Sequence, residues 1–376
     1  MKWLWLKASD VWLFRTGHPF NAGQNDTARS LFPPSPLTVA GALRGAVIQK
    51  NGISWQDYSQ ATEDSEIVRL VGKRGLGNVG DFAMQGPFIA CYEPETNLFY
   101  RYFPTPSDIV SPEILDGESP QTKTDTIILH PEEKSNFYSS MELQPLNADV
   151  DVEPHPGTWI REDVFTNYLQ GIPPQYDRLV KSESLYTSEY RFGIGMDYRL
   201  GTVNREEGLL YQAEFIRPQP QIGLLVRIAD IITENLGTEG AFSLGGERHT
   251  ANFKLLEDSE VYTPPTFEPG GQFKVIVLTP SYFTGGWQPA DWSSLLNGDV
   301  TLMSAVVDRP QKIGGWDASA GEPRTMHHFV KPGSVYYFQG SPNINGESIT
   351  ENPPDFGENV AAALGFGQFA LGRWTY

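Results

Sequence analysis

The stretch ARSLFPPSPLTVAGALRG, residues 28–45, turns the chain and then starts a helix. Prolines at positions 33, 34 and 36 disfavour a regular helix before Ser35, because proline fixes φ and lacks an N–H. Ser35 is a typical N-cap, Pro36 suits the first helical position, and apolar residues then recur at helical spacing until Asn51-Gly52. The stretch therefore predicts an amphipathic helix that packs its apolar stripe on a sheet.

The segments around this helix predict strands. Residues 2–15, KWLWLKASDVWLFR, predict a strand that bends near Ser9-Asp10. FAMQGPFIACYE (82–93) and NLFYRYFP (97–104) predict two more strands, joined by a turn. Strand, helix, strand, strand is the first part of a ferredoxin-like or RRM-like unit. We therefore expect an α+β fold.

The second half of the chain is rich in strand patterns. LLYQAEFIRPQPQIGLLVRIAD (209–230) predicts a hairpin connected through PQP, and TMHHFVKPGSVYYFQG (325–340) predicts another that turns at KPG. FKVIVLTP and LMSAVVDRP predict single strands, and short helices are expected within 160–171 and 357–364. The expected organisation is two related α+β modules, residues 1–160 and a strand-rich 161–376. The first module includes an acidic surface insertion at about 104–156, where periodicity fades.

The net charge of −18 argues against nucleic-acid binding only until its distribution is considered. Residues 108–163 contribute −10, whereas residues 1–50 carry +4. A phosphate backbone responds to charges within roughly 8 Å at physiological salt. The overall acidity therefore neither proves nor excludes an RNA partner.

Composition indicates a cytoplasmic protein without disulfides. Cys91 is the single cysteine, and no apolar run reaches membrane-spanning length. The first residues alternate in pattern and soon include charged side chains, so they lack the continuous apolar core of a secretory signal.

No sequence pattern singles out a catalytic or metal-binding group. The six histidines form no HExxH motif, and neither GxSxG nor a Walker motif is present. We therefore expect no metal, no cofactor and no catalytic residue. His18, beside Arg15 in a glycine-bearing loop, is weighed as a general base for RNA cleavage, but no second group is placed to act as the acid.

Four glycine-bearing stretches permit close approach of a ligand. They are RFGIGMDYRLGTV (191–203), LGGERH (244–249), KIGGWD (312–317) and LGFGQFALGRW (364–374). Each alone is typical of a turn or a bulge. Together with their arginines and aromatic residues, they fit a surface that follows a nucleic-acid backbone and stacks bases.

Taken in order, these motifs resemble one family. VWLFRTGHPFNAG, FPPSPLTVAGALR, RFGIGMDYRLGTV, LLYQAEFIRP, FSLGGERH, IGGWD, KPGSVYYF and GFGQFALGRW are similar to the third subunit of the type III-B CRISPR effector, the Cmr complex, within the RAMP superfamily. The resemblance runs almost from end to end but does not cover the acidic insertion.

The resemblance implies two ferredoxin-like modules, a glycine-rich loop near the C-terminus and a non-catalytic role. That role is to cap the 5′ tag of the guide RNA and to dock on the large polymerase/cyclase-like subunit and on backbone RAMP subunits. The glycines of the loop would be Gly365, Gly367 and Gly372. The RNA-binding residues expected in all are Arg15, His18, Arg29, Arg44, Arg191, Arg248, Gly365, Gly367, Gly372 and Arg373.

Two other functions remain open from the sequence. A metal-independent endoribonuclease that processes guide precursors would need His18, His327 or His328 at the scissile phosphate. A purely protein-contacting assembly subunit would use the same glycines and aromatic residues. For Arg44, an intramolecular or surface ion pair is as good an explanation as a phosphate contact.

Overall fold

The computed structural model describes residues 1–16, 27–113, 125–132, 142–148, 150–194, 196–197, 202–203, 210–265, 270–317, 321–343 and 348–375. Within these ranges the helices are α1 (Pro36–Lys50), α2 (Trp55–Gln60), α3 (Glu66–Val71), α4 (Glu162–Leu169), α5 (Asp230–Leu236), α6 (Trp292–Leu296) and α7 (Val360–Ala363). None of these helices is long and apolar enough to cross a membrane. The predicted helix after the prolines is confirmed as α1, whose N-cap Ser35 accepts a 3.3 Å hydrogen bond from the Thr38 N–H. The two short predicted helices are α4 and α7.

The strands are short and numerous. Those before residue 220 are β1 (Lys2–Ala8), β2 (Thr27–Ala28), β3 (Met84–Glu93), β4 (Leu98–Pro104), β5 (Ile109–Pro112), β6 (Ile127–Ile128), β7 (His130–Pro131), β8 (Leu146–Asn147), β9 (Val152–Pro154), β10 (Thr158–Arg161), β11 (Leu179–Lys181), β12 (Tyr186–Ile194), β13 (Met196–Asp197), β14 (Thr202–Val203) and β15 (Leu210–Pro218). Those after it are β16 (Ile222–Ile228), β17 (Glu239–Ser243), β18 (Thr250–Leu256), β19 (Gln272–Val277), β20 (Asp299–Val306), β21 (Gln311–Ile313), β22 (Trp316–Asp317), β23 (Glu322–Pro323), β24 (His327–Phe329), β25 (Val335–Ser341) and β26 (Phe369–Arg373).

Eight antiparallel strands form a large sheet, in the order β11-β10-β4-β3-β16-β1-β18-β17. Side chains of β1 alternate between its two faces. Leu4 packs with Leu43 of α1, whereas Trp3 packs in the core that includes Tyr337 of β25. The large sheet is therefore covered by helices on one face and by the C-terminal sheet on the other, which explains why β1 is apolar on both.

The C-terminal sheet has the antiparallel order β20-β25-β19-β26. The predicted hairpin of 325–340 is wrong, because β24 pairs with β21 instead of β25. Residues Val335–Phe338 are fully buried. This apolar strand takes a central place between β19 and β20, so neither of its edges is left for β24.

The predicted hairpin of 209–230 is also wrong. β15 pairs with β12 in a second, three-stranded sheet, β12-β15-β2, whereas β16 lies between β3 and β1 in the large sheet. The two prolines of the PQP connection remove two backbone donors. Each strand then finds its partner in a different sheet.

The acidic insertion differs from an aperiodic surface segment in the parts that the structure describes. It contains β5–β9, and it is anchored on the C-terminal sheet. Gln144 receives a 2.8 Å hydrogen bond from the Ser304 hydroxyl and donates another of 2.8 Å to the Met303 carbonyl. The acidic composition therefore did not reveal that this insertion is a β element docked on the C-terminal sheet.

The large sheet takes strands from both sides of residue 161. β3 and β4 precede this position, and β16, β17 and β18 follow it. The division into 1–160 and 161–376 stays a prediction, and it does not follow the sheets.

Candidate nucleic-acid interface

Arg15 and Arg29 lie exposed on two chain segments that run side by side. The chain leaves the large sheet after β1, which confirms the predicted bend. The Thr16 N–H then donates to the Arg29 carbonyl at 3.0 Å, and the Leu31 N–H donates to the Phe14 carbonyl at 2.8 Å. The antiparallel pairing places Arg15 opposite Ser30, so the side chains of Arg15 and Arg29 project from opposite faces of two neighbouring segments.

Arg248 lies in a tight loop that packs on the same segment. The Gly246 N–H donates to the Leu13 carbonyl at 2.7 Å. Gly245 has φ of +89°, and a Cβ there would lie 2.6 Å from the Leu13 oxygen. The glycines are needed for this close approach, which brings the exposed Arg248 to the segment of Arg15.

Arg191 belongs to a charged face of the β12–β15 pair, which we define by Asp10, Glu189, Arg191 and Arg217. The Arg191 guanidinium lies 2.7 Å from Glu189 and 3.1 Å from Asp10. Arg217 lies 2.7 Å from Asp10 and 2.6 Å from Glu189. The two guanidiniums lower the pKa of both carboxyls through these hydrogen bonds. The four groups cancel in charge, so Arg191 is balanced within the chain.

The opposite, aromatic face of β12 carries two exposed rings that sequence reasoning missed. Tyr190 is 54% exposed and Phe192 is 71% exposed. They alternate with Glu189 and Arg191, so they project together from the other face of the strand. The signal was the two-residue period of EYRF, which the glycine interpretation of this stretch overlooked.

The guanidinium of Arg44 forms hydrogen bonds within the chain instead of facing a ligand. Its Nε donates to the Val71 carbonyl at 2.7 Å, and Nη2 donates to the Lys73 carbonyl at 2.7 Å. Nη1 lies 3.4 Å from the Gly75 carbonyl. Burial lowers the pKa of this guanidinium. The residue predicted to contact phosphate instead holds the loop after α3, because the C-terminal carbonyls of that helix need donors.

The C-terminal glycines are buried, which corrects their expected role at an RNA surface. Gly365 has φ of +93°, and a Cβ there would lie 2.5 Å from the Gly86 carbonyl. A Cβ at Gly367 would meet Ser348 at 2.6 Å. Gly372 packs against Lys274. Gly365 lets the chain approach β3 of the large sheet, whereas Gly367 and Gly372 face residues 348–350 and β19. Only Arg373 next to them is exposed.

The histidines considered for cleavage do not form a site among the described residues. His18 lies outside these residues. His327 bonds Asp355 at 2.6 Å, and its neighbour His328 on β24 is exposed. No group of three or more potential metal ligands occurs in the described ranges.

The proline stretch that opens α1 lines a cleft of about 630 Å³. Its other walls include Pro104–Ser107 and Leu278–Pro280. The charged side chains of the lining, Asp308 and Lys331, form an ion pair of 2.8 Å. The charged side chains of the cleft therefore balance each other.

Comparison with solved structures finds subunits of CRISPR complexes. A chain of the type III-B Cmr-beta complex bound to cognate target RNA is 18% identical, with 89% of this chain and 86% of that chain covered and a TM-score of 0.48. A chain of the Csm3–Csm4 subcomplex in the type III-A CRISPR-Cas interference complex is 13% identical over 100% of both chains, with a TM-score of 0.38. No curated protein matches the chain.

A family model matches nearly the whole chain. The model of CRISPR-associated protein Cas_Cmr3 matches residues 4–374. The match includes the strand β1, the proline stretch before α1, and β26. The chain therefore belongs to the Cas_Cmr3 family of CRISPR-associated proteins.

Proposed function

We propose that this chain is a non-catalytic RNA-binding subunit of a type III-B CRISPR ribonucleoprotein, and that it caps the 5′ tag end of the guide RNA. Family membership supports the complex. One observation carries the RNA contact: exposed Arg15, Arg29 and Arg248 lie on neighbouring segments, and β12, which β15 separates from β2 in the same sheet, exposes Tyr190 and Phe192.

These residue types suit single-stranded RNA. Arginine guanidiniums bind phosphate oxygens as planar forks, and exposed aromatic rings stack unpaired bases. Positive charge next to stacking rings is the common arrangement of single-strand binding surfaces. The neutral proline-lined cleft offers no comparable phosphate contact.

The proposed partners are the guide RNA, the large polymerase/cyclase-like subunit and the backbone RAMP subunits. The solved structures similar to this chain come from a Cmr complex bound to target RNA and from a Csm3–Csm4 subcomplex. Their likeness is too distant to assign contacts. The proposal therefore rests on the family and on the charged and aromatic surface.

We also infer that the chain contains two ferredoxin-like modules. In the large sheet, β18-β1-β16-β3 lie in the order 4-1-3-2 of a ferredoxin-like unit, with α1 after its first strand and α5 after its third. In the C-terminal sheet, β26-β19-β25-β20 have the same order, with α6 and α7 in the equivalent places. The proposed boundary then moves from residue 161 to the connection between β18 and β19.

The test is to purify the tagged chain with its partners from its native host and to sequence the bound RNA. A uniform population that begins with a repeat-derived 5′ tag is expected. The double variant Arg15→Ala/Arg29→Ala should lose much of this RNA, whereas Arg309→Ala, an exposed arginine outside the surface, should retain it. Absence of guide RNA under conditions that keep the partner proteins bound would overturn the proposal.

A further inference from the structure

A second cavity, of about 380 Å³, lies between the large sheet, α4 and β26. Its apolar wall includes Phe165, Leu169 and Phe369. Its polar side chains are Gln85, Arg101, Glu162, Thr166, Arg227 and Gln368. These polar groups are separate from the candidate RNA surface, and nothing in the proposed function uses them.

Arg101 and Glu162 form a closed pair at one side of this cavity. The Arg101 Nε donates to Glu162 Oε2 at 3.0 Å, its Nη2 donates to Oε1, and its backbone N–H also donates to Oε2 at 3.2 Å. The Glu162 side chain is only 2% exposed. Both carboxylate oxygens are therefore occupied by Arg101, and Glu162 is not free to neutralise a second cation.

Arg227 is the cation that this pair leaves unbalanced. Its Nε is buried and has no hydrogen-bond acceptor among the described residues, and no carboxylate in those ranges forms an ion pair with it. Its guanidinium carbon lies 5.6 Å from the centre of the Trp3 ring. The carboxylate of Asp230 accepts a 2.9 Å hydrogen bond from the N-terminal ammonium of Met1, which is the main cause of its lowered pKa, and the charge of Arg227 is a smaller cause.

Arg227 lines the cavity without an ion-pair partner among the described residues, and the fork of a guanidinium matches the two oxygens of a carboxylate or phosphate. The apolar wall opposite suits a hydrocarbon or ring attached to that group.

We propose that this cavity binds a small organic oxyanion, a carboxylate or phosphate monoester carried on an apolar body, with Arg227 as its principal donor. Arg101 and Glu162 form a fixed wall, and they contribute no net charge. The cavity is then a ligand site built between α4 and β26, where a bound anion would add contacts that join the two sheets.

Calorimetric titration of the full chain with four probes tests this proposal. Phenyl phosphate and benzoate carry both an oxyanion and a ring, inorganic phosphate lacks the ring, and benzamide lacks the charge. At least one charged ring compound should bind about tenfold more tightly than benzamide, since the neutral analogue cannot form the charge-assisted hydrogen bond. Comparing phenyl phosphate with benzoate tells which oxyanion the site prefers.

Variants at Arg227 assign the binding to this cavity. Arg227→Met should weaken the preferred probe at least about tenfold, and Arg227→Lys should weaken it less, because lysine keeps the charge but not the fork. Arg309→Met, at an exposed position away from the cavity, should leave binding unchanged. If Arg227→Met does not fold, the Arg227→Lys titration decides alone.

Three results would overturn the proposal. The first is equal binding, or none, of charged and neutral probes by the wild-type chain. The second is an equal loss in the Arg309→Met control. The third concerns Glu268, which lies outside the described residues and close in sequence to Pro265 of the lining: probe binding only in Glu268→Gln would mean that a carboxylate of the chain itself fills the site.

Discussion

Two ionic clusters of this protein pair carboxylates with cations in opposite environments. Asp108 and Lys274 pair at 2.7 Å with both side chains 0% exposed, and the hydroxyls of Tyr168 and Tyr337 also donate to Asp108. On the charged face of the β12–β15 pair, Arg217 is 43% exposed. Burial makes the first cluster depend on every partner, whereas water substitutes for partners in the second.

The buried cluster joins parts of the chain that lie far apart. Asp108 begins the acidic insertion, Tyr168 lies on α4, and Lys274 and Tyr337 lie on β19 and β25. The Lys274 ammonium also sits 3.7 Å from the centre of the Tyr168 ring. This cluster therefore fixes the insertion and α4 on the C-terminal sheet.

Breaking the buried pair should have the largest effect. Lys274→Met leaves the Asp108 carboxylate buried without its cation, which should lower the free energy of unfolding by about 3–5 kcal/mol. Denaturant unfolding measures this loss. The double variant Asp108→Asn/Lys274→Met should recover part of it, because no uncompensated charge remains. A loss of less than about 1 kcal/mol in Lys274→Met would place this pair with ordinary surface pairs.

Removing the aromatic face should weaken RNA binding without changing stability much. Tyr190→Ala/Phe192→Ala should cost about 1–3 kcal/mol of binding per stacked base. Fluorescence anisotropy with tag RNA at several salt concentrations measures this. The dependence of affinity on salt should stay the same, because no charge is removed. Ile231→Ala, at an exposed apolar position elsewhere, is the control.

Removing the arginines should change the salt dependence instead. Arg15→Ala/Arg29→Ala should weaken binding and make the slope of log affinity against log salt shallower by roughly 1.4, since each phosphate of single-stranded RNA that an arginine neutralises contributes about 0.7 to that slope. An unchanged slope with weaker binding would mean that these two side chains do not touch phosphates.

High pH should destabilise the fold through the buried cluster. Burial raises the pKa values of Tyr168 and Tyr337 well above the ordinary value for tyrosine. At high pH these two hydroxyls therefore stay protonated in the folded chain, although the same hydroxyls are deprotonated in the unfolded chain. Their contribution is present below pH ~10 and falls by about 1.4 kcal/mol per pH unit and per tyrosine above it. Burial lowers the pKa of Lys274, which acts in the opposite direction but only below its unfolded pKa of about 10.4. Above that pH, Tyr337→Phe should show a shallower fall than the wild type in denaturant unfolding.

The sequence predicted what depends on neighbours in the chain. The N-cap, the prolines and the apolar period of α1 are local signals, so this helix was predicted correctly. Strand partners are not local: β15 and β16 looked like a hairpin, and only their contacts with β12 and with β3 separate them. Asp108 and Lys274 are 166 residues apart, so no pattern marks them as a buried pair.

The candidate site shows the same limit. Backbone pairing that the sequence does not display brings the segments of Arg15, Arg29 and Arg248 together, and the role of these residues in RNA binding stays a prediction. Arg44 and the C-terminal glycines looked equally suitable and are taken up by internal contacts. Trp12 and Trp316 could not be separated by sequence, yet they are 0% and 63% exposed.

The charged face offers the smallest effect and the most direct test of which side of β12 meets RNA. Asp10→Asn/Glu189→Gln removes two carboxylates and releases the forks of Arg191 and Arg217. If phosphates pass this face, the variant should bind tag RNA a few times more tightly, with a steeper salt slope, since two guanidiniums become available. If the RNA lies only on the face of Tyr190 and Phe192, affinity should stay the same. Because each of the four side chains is between 35% and 54% exposed, the unfolding midpoint should change little in either case, in contrast to Lys274→Met.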